Sequence, residues 1–71
     1  MTKDVAITIK EHSTQAIREL TTILYEIGDH CSEDEFMIVK RGVGLTIGRI
    51  QMELLEYVNQ HYPELDDLKD I

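Results

Sequence analysis

Four side chains in the sequence carry the nitrogen or sulfur donors that zinc prefers: His12, His30, Cys31 and His61. A structural zinc site needs four ligands, usually presented as closely spaced pairs. Only His30 and Cys31 are neighbours, and the other two histidines fall toward the far end of the antiparallel hairpin inferred below. The spacing therefore does not favour a metal site, and we expect no cofactor.

Cys31 also follows an acid and a histidine, Asp29 and His30, which are the residue types of a nucleophilic site. A catalytic thiol needs its base within hydrogen-bonding distance. Adjacent side chains on a tight turn rarely face each other, so this order of residues does not supply that geometry. We predict that the protein is not an enzyme.

Charged residues of the second half of the chain suggest two other kinds of site. Glu53 and Glu56 lie one helical turn apart, but a bundle-type di-iron centre also needs Glu-x-x-His motifs, and the sequence has none. Arg49 precedes Glu53 by four residues, which favours a simple surface ion pair. Lys40, Arg41 and Arg49 form the one basic cluster. An alternative function is therefore a small-ligand or phosphate-binding module that uses Arg41 and Arg49.

The charge balance limits the partners that this chain can bind. Its 71 residues include 14 acidic and 7 basic side chains, a formal net charge of −7. That charge disfavours direct binding to nucleic acid or to an anionic membrane, and it favours a basic protein partner. No apolar stretch approaches the roughly 20 residues of a membrane span. With one cysteine and no recognisable signal peptide, we expect a cytoplasmic protein.

The segment from Gly28 to Phe36 predicts the end of one helix and the start of another. Ser32 and Glu35 have the spacing of a capping box, in which each side chain bonds to the other residue's amide. Cys31 and Phe36 have the spacing of a hydrophobic staple at the same helix start. Gly28 is placed to end the preceding helix in the left-handed conformation. The chain therefore reads as a helical hairpin with a turn at 28–32.

The first helix is predicted over about residues 4–27, with its clearest periodicity from about residue 13. Its apolar face recurs every three or four residues: Ala16, Ile17, Leu20, Ile23, Leu24 and Ile27. The segment 5–9 is ambiguous because its β-branched residues also alternate as in a strand. A helix is favoured there, since the same stepping continues back through His12 and Ile9 to Val5, with Asp4 as cap. A strand would need a partner strand from another subunit.

The second helix is predicted over about residues 33–61. Its inward positions step by threes and fours and are flanked by Val39, Leu55 and Val58: Phe36, Lys40, Val43, Ile47, Ile50, Leu54, Tyr57 and His61. It should end near His61, because Tyr62 precedes Pro63 and helical geometry is disfavoured for a residue that precedes proline. The acidic tail 63–71 carries Leu65, Leu68 and Ile71 at intervals of three. It is a frayed end, a cap over the helices or, alternatively, a docking motif.

Three glycines interrupt the helical preference of the second helix: Gly42, Gly44 and Gly48. One interpretation is that Gly44 and Gly48 form a smooth strip on which another helix packs closely. A second is that Gly42 and Gly44 break or kink the helix, giving a small three-helix bundle. A third, a phosphate-binding turn after a strand, is disfavoured because the spacing is not G-x-G-x-x-G and the capping box predicts helix there.

A two-helix chain of this length has a thin core, and one cysteine cannot form an internal disulfide, so oligomerisation is the expected source of stability. We predict an all-α antiparallel hairpin that homodimerises into a four-helix bundle. The predicted dimer or partner interface lies on the second helix: Val43, Gly44, Ile47, Gly48, Ile50 and Leu54. The expected function is that of a non-catalytic, acidic interaction or regulatory protein, such as an adaptor, an inhibitor or an antitoxin- or immunity-like protein.

Overall fold

The protein folds as an antiparallel pair of long helices. A computed structural model describes residues 1–66; Leu68 and Ile71, which the sequence placed in the tail, lie outside these residues. The elements in chain order are α1 (Lys3–Ile27), α2 (Glu33–Ile50), a π-helical turn (Gln51–Leu55), α3 (Glu56–His61) and a 3₁₀ turn (Pro63–Leu65). Residues 1–66 contain no strand. The predicted all-α class and the hairpin are thus confirmed.

The start of α1 is capped by a threonine. The Val5 amide donates to Thr2 Oγ1 at 3.3 Å, so Thr2, and not Asp4, is the cap residue. Asp4 instead lies in the first turn, where its negative charge is near the positive end of the helix dipole. Residues 5–9 are helical despite their β-branched composition. The helix interpretation of this segment therefore holds for the single chain.

The turn between α1 and α2 contains the predicted capping box. The Glu35 amide donates to Ser32 Oγ at 3.1 Å, and the Ser32 amide donates to Glu35 Oε1 at 2.8 Å. The prediction for Gly28 was wrong, because its φ and ψ of −52° and −39° are right-handed. The His30 amide donates to the Ile27 carbonyl at 2.9 Å, so the chain leaves α1 through a right-handed turn that does not require glycine.

The second helical segment is irregular, but not at its glycines. The alternative prediction placed a break at Gly42 and Gly44, whereas α2 continues through both. The irregularity lies at Gln51–Leu55, where the Glu56 amide donates to the Gln51 carbonyl five residues earlier. A π turn contains one residue more than an α turn, so it changes which side chains face inward beyond it.

The π turn overturns the predicted inward positions near the end of the chain. The sequence pattern predicted Leu54, Tyr57 and His61. The structure instead buries Val58 completely, while Leu54 is 44% exposed and Tyr57 is 50% exposed. Leu55 and Tyr62 are half-buried, and His61 is exposed. The inward set is therefore shifted by one residue to Leu55, Val58 and Tyr62.

The core between the helices is thin, as expected. Among the described residues only Ala6, Val43 and Val58 are buried hydrophobic residues, accompanied by buried Ser13. The rest of the seam between α1 and α2 is only partly covered: Ile9, Ile17, Leu20, Leu24, Ile27, Phe36, Val39, Ile47 and Ile50. Ser13, not His12, lies inward on α1, because the true seam is rotated from the predicted stripe.

The two ends of the described chain are tied together at the open end of the hairpin. The Tyr62 hydroxyl donates to the Met1 carbonyl at 2.9 Å, and Lys3 Nζ lies 3.5 Å from Glu64 Oε1. Lys10 Nζ donates to the Leu65 carbonyl. These contacts fix the 3₁₀ turn against the first turns of α1.

Candidate interaction surface

The residues with metal-binding or nucleophilic chemistry are dispersed. His12 is exposed on α1 and His30 is exposed in the turn, while Cys31 is half-buried and its thiol donates to a backbone carbonyl at 3.3 Å. His61 stacks with Tyr57, with ring centroids 4.5 Å apart. Within residues 1–66 no three His, Cys, Asp or Glu side chains are grouped so that they could hold a metal ion.

The capping box perturbs the ionisation of Glu35. Hydrogen bonds from Ser32, first from its backbone amide and then from its hydroxyl, lower the pKa of Glu35 below its usual 4.5. A carboxylate whose pKa falls on folding stabilises the folded state above the unfolded pKa. That contribution is lost as the pH falls through the lowered, folded-state value. The effect is structural and indicates no reactive group.

The basic residues of α2 lie on its surface. Arg49 Nη2 is 3.6 Å from Glu53 Oε1, and both side chains are more than half exposed. An exposed pair of this kind contributes little to stability. Lys40 and Arg41 are also exposed. The alternative anion-binding residues, Arg41 and Arg49, are thus available to a partner but form no built cradle.

An open groove lies between α1 and the C-terminal turns. It is lined by residues that include Lys10, Thr14, Leu55 and Leu65 and has a volume of about 690 Å³. The hydrogen bond from Lys10 to the Leu65 carbonyl crosses one edge of this groove. Sequence reasoning missed it, because its walls come from opposite ends of the chain and no local pattern links them.

The glycines of α2 make no close packing contact within residues 1–66 that would require glycine. A β-carbon built on Gly42, Gly44 or Gly48 meets no other part of the described chain within 4 Å. Each glycine inside a helix costs about 1 kcal/mol relative to alanine. The hairpin itself therefore offers no packing reason for three of them.

The residues of the predicted interface divide between two sides of α2. Val43 is only 6% exposed, and Ile47 and Ile50 are half-buried in the seam with α1. Gly44 is exposed and Leu54 is 44% exposed. Gly48 is half-buried, although space beside it is open. Only the glycines and Leu54 can reach a partner while the hairpin stays closed.

Sequence reasoning missed an apolar stripe on the opposite side of α2. Ile38, Leu45 and Met52 recur every seven residues and are 72%, 63% and 64% exposed. Leu45 is two residues from buried Val43, a rotation of about 200°, so the stripe points away from α1. We call Ile38 and Leu45 of α2, together with Met52 at the start of the π turn that continues it, the outer stripe of α2. Its signal was the interval of seven, which the stronger three-and-four pattern of the seam obscured.

The outer edge of α1 is different in character. Glu11, Glu19 and Glu26 are all exposed. Each is two residues from an inward-facing side chain and so lies about 200° around the helix from the seam. We call these three residues the acidic edge. The hairpin therefore has one acidic edge on α1 and one apolar edge on α2.

Comparison with known proteins gives no relative for this chain: no family model, curated protein or solved structure matches it significantly. In residues 1–66, no helix has both the length and the apolar character needed to cross a membrane. The functional interpretation therefore depends on the geometry of the two edges.

Proposed function

We propose that this chain is a non-catalytic interaction protein that acts through protein–protein contacts and self-associates into a four-helix assembly. The observation that carries the proposal is the outer stripe of α2, a row of large apolar side chains that the hairpin leaves uncovered. Large apolar side chains that are aligned on one exposed helix face in this way point to a contact site between proteins.

The size of the exposed surface supports self-association. The chain has an accessible surface of 5629 Å². A compact monomer of its 8.2 kDa mass is expected to expose about 4,500 Å². The excess of about 1,100 Å² compares with the roughly 800 Å² that each partner buries in a standard protein interface. Covering part of this surface would also add to a core that is thin in the single chain.

The acidic edge supports a second contact, with a basic protein. Glu11, Glu19 and Glu26 are exposed on the side of α1 away from α2. If copies associate through α2, the acidic edges stay outside and remain accessible. A basic partner would then meet the negative charge that steers such encounters. This is the arrangement expected of an adaptor, an inhibitor or an antitoxin- or immunity-like protein.

Light scattering coupled to size exclusion tests self-association directly. We expect twice the 8.2 kDa chain mass at tens of micromolar, and a monomeric mass at high micromolar concentration would overturn it. Thermal-shift screening against phosphate and nucleotides tests the alternative function. A rise of several degrees with one ligand, lost in an Arg41→Ala/Arg49→Ala variant, would favour the small-ligand module over the interaction protein.

A further inference from the structure

We propose that the outer stripe of α2 is covered by α2 of a second copy of this chain, running antiparallel, with a twofold axis at Leu45. This inference rests on the self-association proposed above and adds the surface, the direction and the register of the contact. In this contact Ile38 of one copy packs against Met52 of the other, and the two Leu45 side chains meet at the twofold axis.

The first support is a near-palindrome in the sequence of α2. Residues 41–49 read Arg-Gly-Val-Gly-Leu-Thr-Ile-Gly-Arg, which is nearly the same in both directions from Leu45. The large apolar residues Ile38 and Met52 then lie seven residues to either side. In an antiparallel twofold pair with its axis at Leu45, each residue lies level with the one at the same distance on the other side. Large apolar residues therefore lie level with large apolar residues, and the glycines at 42 and 48 lie level with each other on opposite flanks.

The second support is where the flanking residues fall around the helix. At about 100° per residue, Gly42 and Arg49 lie on one flank of Leu45, and Arg41 and Gly48 lie on the other. A twofold axis perpendicular to both helices brings each flank against the same flank of the second copy. Arg49 therefore lies against Gly42 of the partner subunit, and Arg41 lies against Gly48 of the partner subunit.

This arrangement explains two glycines that the single chain does not. The space beside Gly42 and Gly48 is open, so the aliphatic stem of an arginine can cross each of them while its charged head stays in water. A side chain at either position would hold the helices apart. Gly44 is about 100° from Leu45 and lies toward the side of the contact, so it is not the central residue.

The outer stripe is covered better by the outer stripe of a second copy than by that copy's acidic edge. Packing the stripe onto Glu11, Glu19 and Glu26 would bury carboxylates against Ile38 and Leu45 without partners, which is unfavourable. Packing stripe on stripe covers apolar surface with apolar surface. It also draws on the roughly 1,100 Å² of excess exposed area, against the roughly 800 Å² per partner of a standard interface. The four helices then follow in the order α1, α2, α2, α1, flatter than a closed bundle.

Disulfide trapping tests the register, with Cys31→Ser as the background to remove the native thiol. Helix axes about 8–10 Å apart bring facing Cα atoms to about 3.4–5.4 Å, which overlaps the range of a disulfide. We expect Leu45→Cys to cross-link to itself on mild oxidation. Ile38→Cys alone should not, because its two copies lie about 21 Å apart along the axis. A mixture of Ile38→Cys and Met52→Cys chains should form the mixed dimer.

The possible outcomes separate this inference from the proposed function. A dimeric mass without cross-linking of the Leu45→Cys variant overturns the register but leaves self-association standing, whereas a monomeric mass overturns both. Self-cross-linking of the Ile38→Cys variant would indicate parallel helices and would also overturn the antiparallel contact. As an independent measurement, Gly48→Leu should weaken the dimer at least tenfold, with a much smaller effect for the matched variant Gly44→Leu. Equal effects of the two glycine variants would count against the contact described here.

Discussion

The π turn decides which side chains stabilise the C-terminal half of the hairpin, and Val58→Ala tests it most directly. Val58 is the one large side chain among the described residues that is fully buried. The substitution removes the equivalent of two methylene groups, a loss of about 1.6 kcal/mol at about 0.8 per group. The remaining cavity adds up to about 1 kcal/mol. We therefore expect the free energy of unfolding to fall by about 2–2.5 kcal/mol.

Urea denaturation followed by circular dichroism, at one fixed protein concentration, measures this loss. The expected decrease in melting temperature is about 8–20 °C, at roughly 4–8 °C per kcal/mol for a domain of this size. Leu54→Ala is the matched control: it removes more atoms, but the side chain is already 44% exposed, so its cost should be about 1.3 kcal/mol. A larger loss for Leu54→Ala than for Val58→Ala would refute the shifted register.

Five further variants test the cap, the glycines and the π turn. Ser32→Ala should lower the free energy of unfolding by about 1 kcal/mol in denaturant titrations, because it removes the N-cap. Glu35→Gln should flatten the loss of stability in acid, measured by melting temperature from about pH 7 to about pH 3, since glutamine does not titrate and the lowered pKa of Glu35 no longer contributes. Gly44→Ala should add up to about 1 kcal/mol because the space is open. Deleting Glu53 should keep the fold by converting the π turn to an α turn, whereas deleting Arg41 should unfold it.

The parts of this fold that the sequence predicted correctly are those set by neighbouring residues. The capping box depends only on Ser32 and Glu35, three residues apart, and it is present with both hydrogen bonds. That cap fixed the start of α2 and excluded a strand after it. The antiparallel hairpin follows from the short turn that precedes the cap.

The parts that sequence could not predict depend on choices between equally apolar neighbours. Leu54 and Leu55 are adjacent leucines, and Tyr57 and Val58 are both compatible with a core, so periodicity does not select a register. The structure selects Leu55 and Val58 because the π turn inserts one residue. The left-handed end assigned to Gly28 failed for a related reason. Glycine permits that conformation but does not require it.

The two proposed contacts should respond differently to salt, because the outer stripe is apolar and the acidic edge is charged. Packing of the outer stripe is apolar, so salt should change the dimer's dissociation constant little. Binding of a basic protein to Glu11, Glu19 and Glu26 joins exposed charges, which about 0.15 M salt screens beyond roughly 8 Å. Raising the salt from about 0.05 to about 0.5 M should therefore release a basic partner while the dimer persists. If the dimer dissociated first, charge and not apolar packing would hold the copies together, and the role assigned to Leu45 would fail.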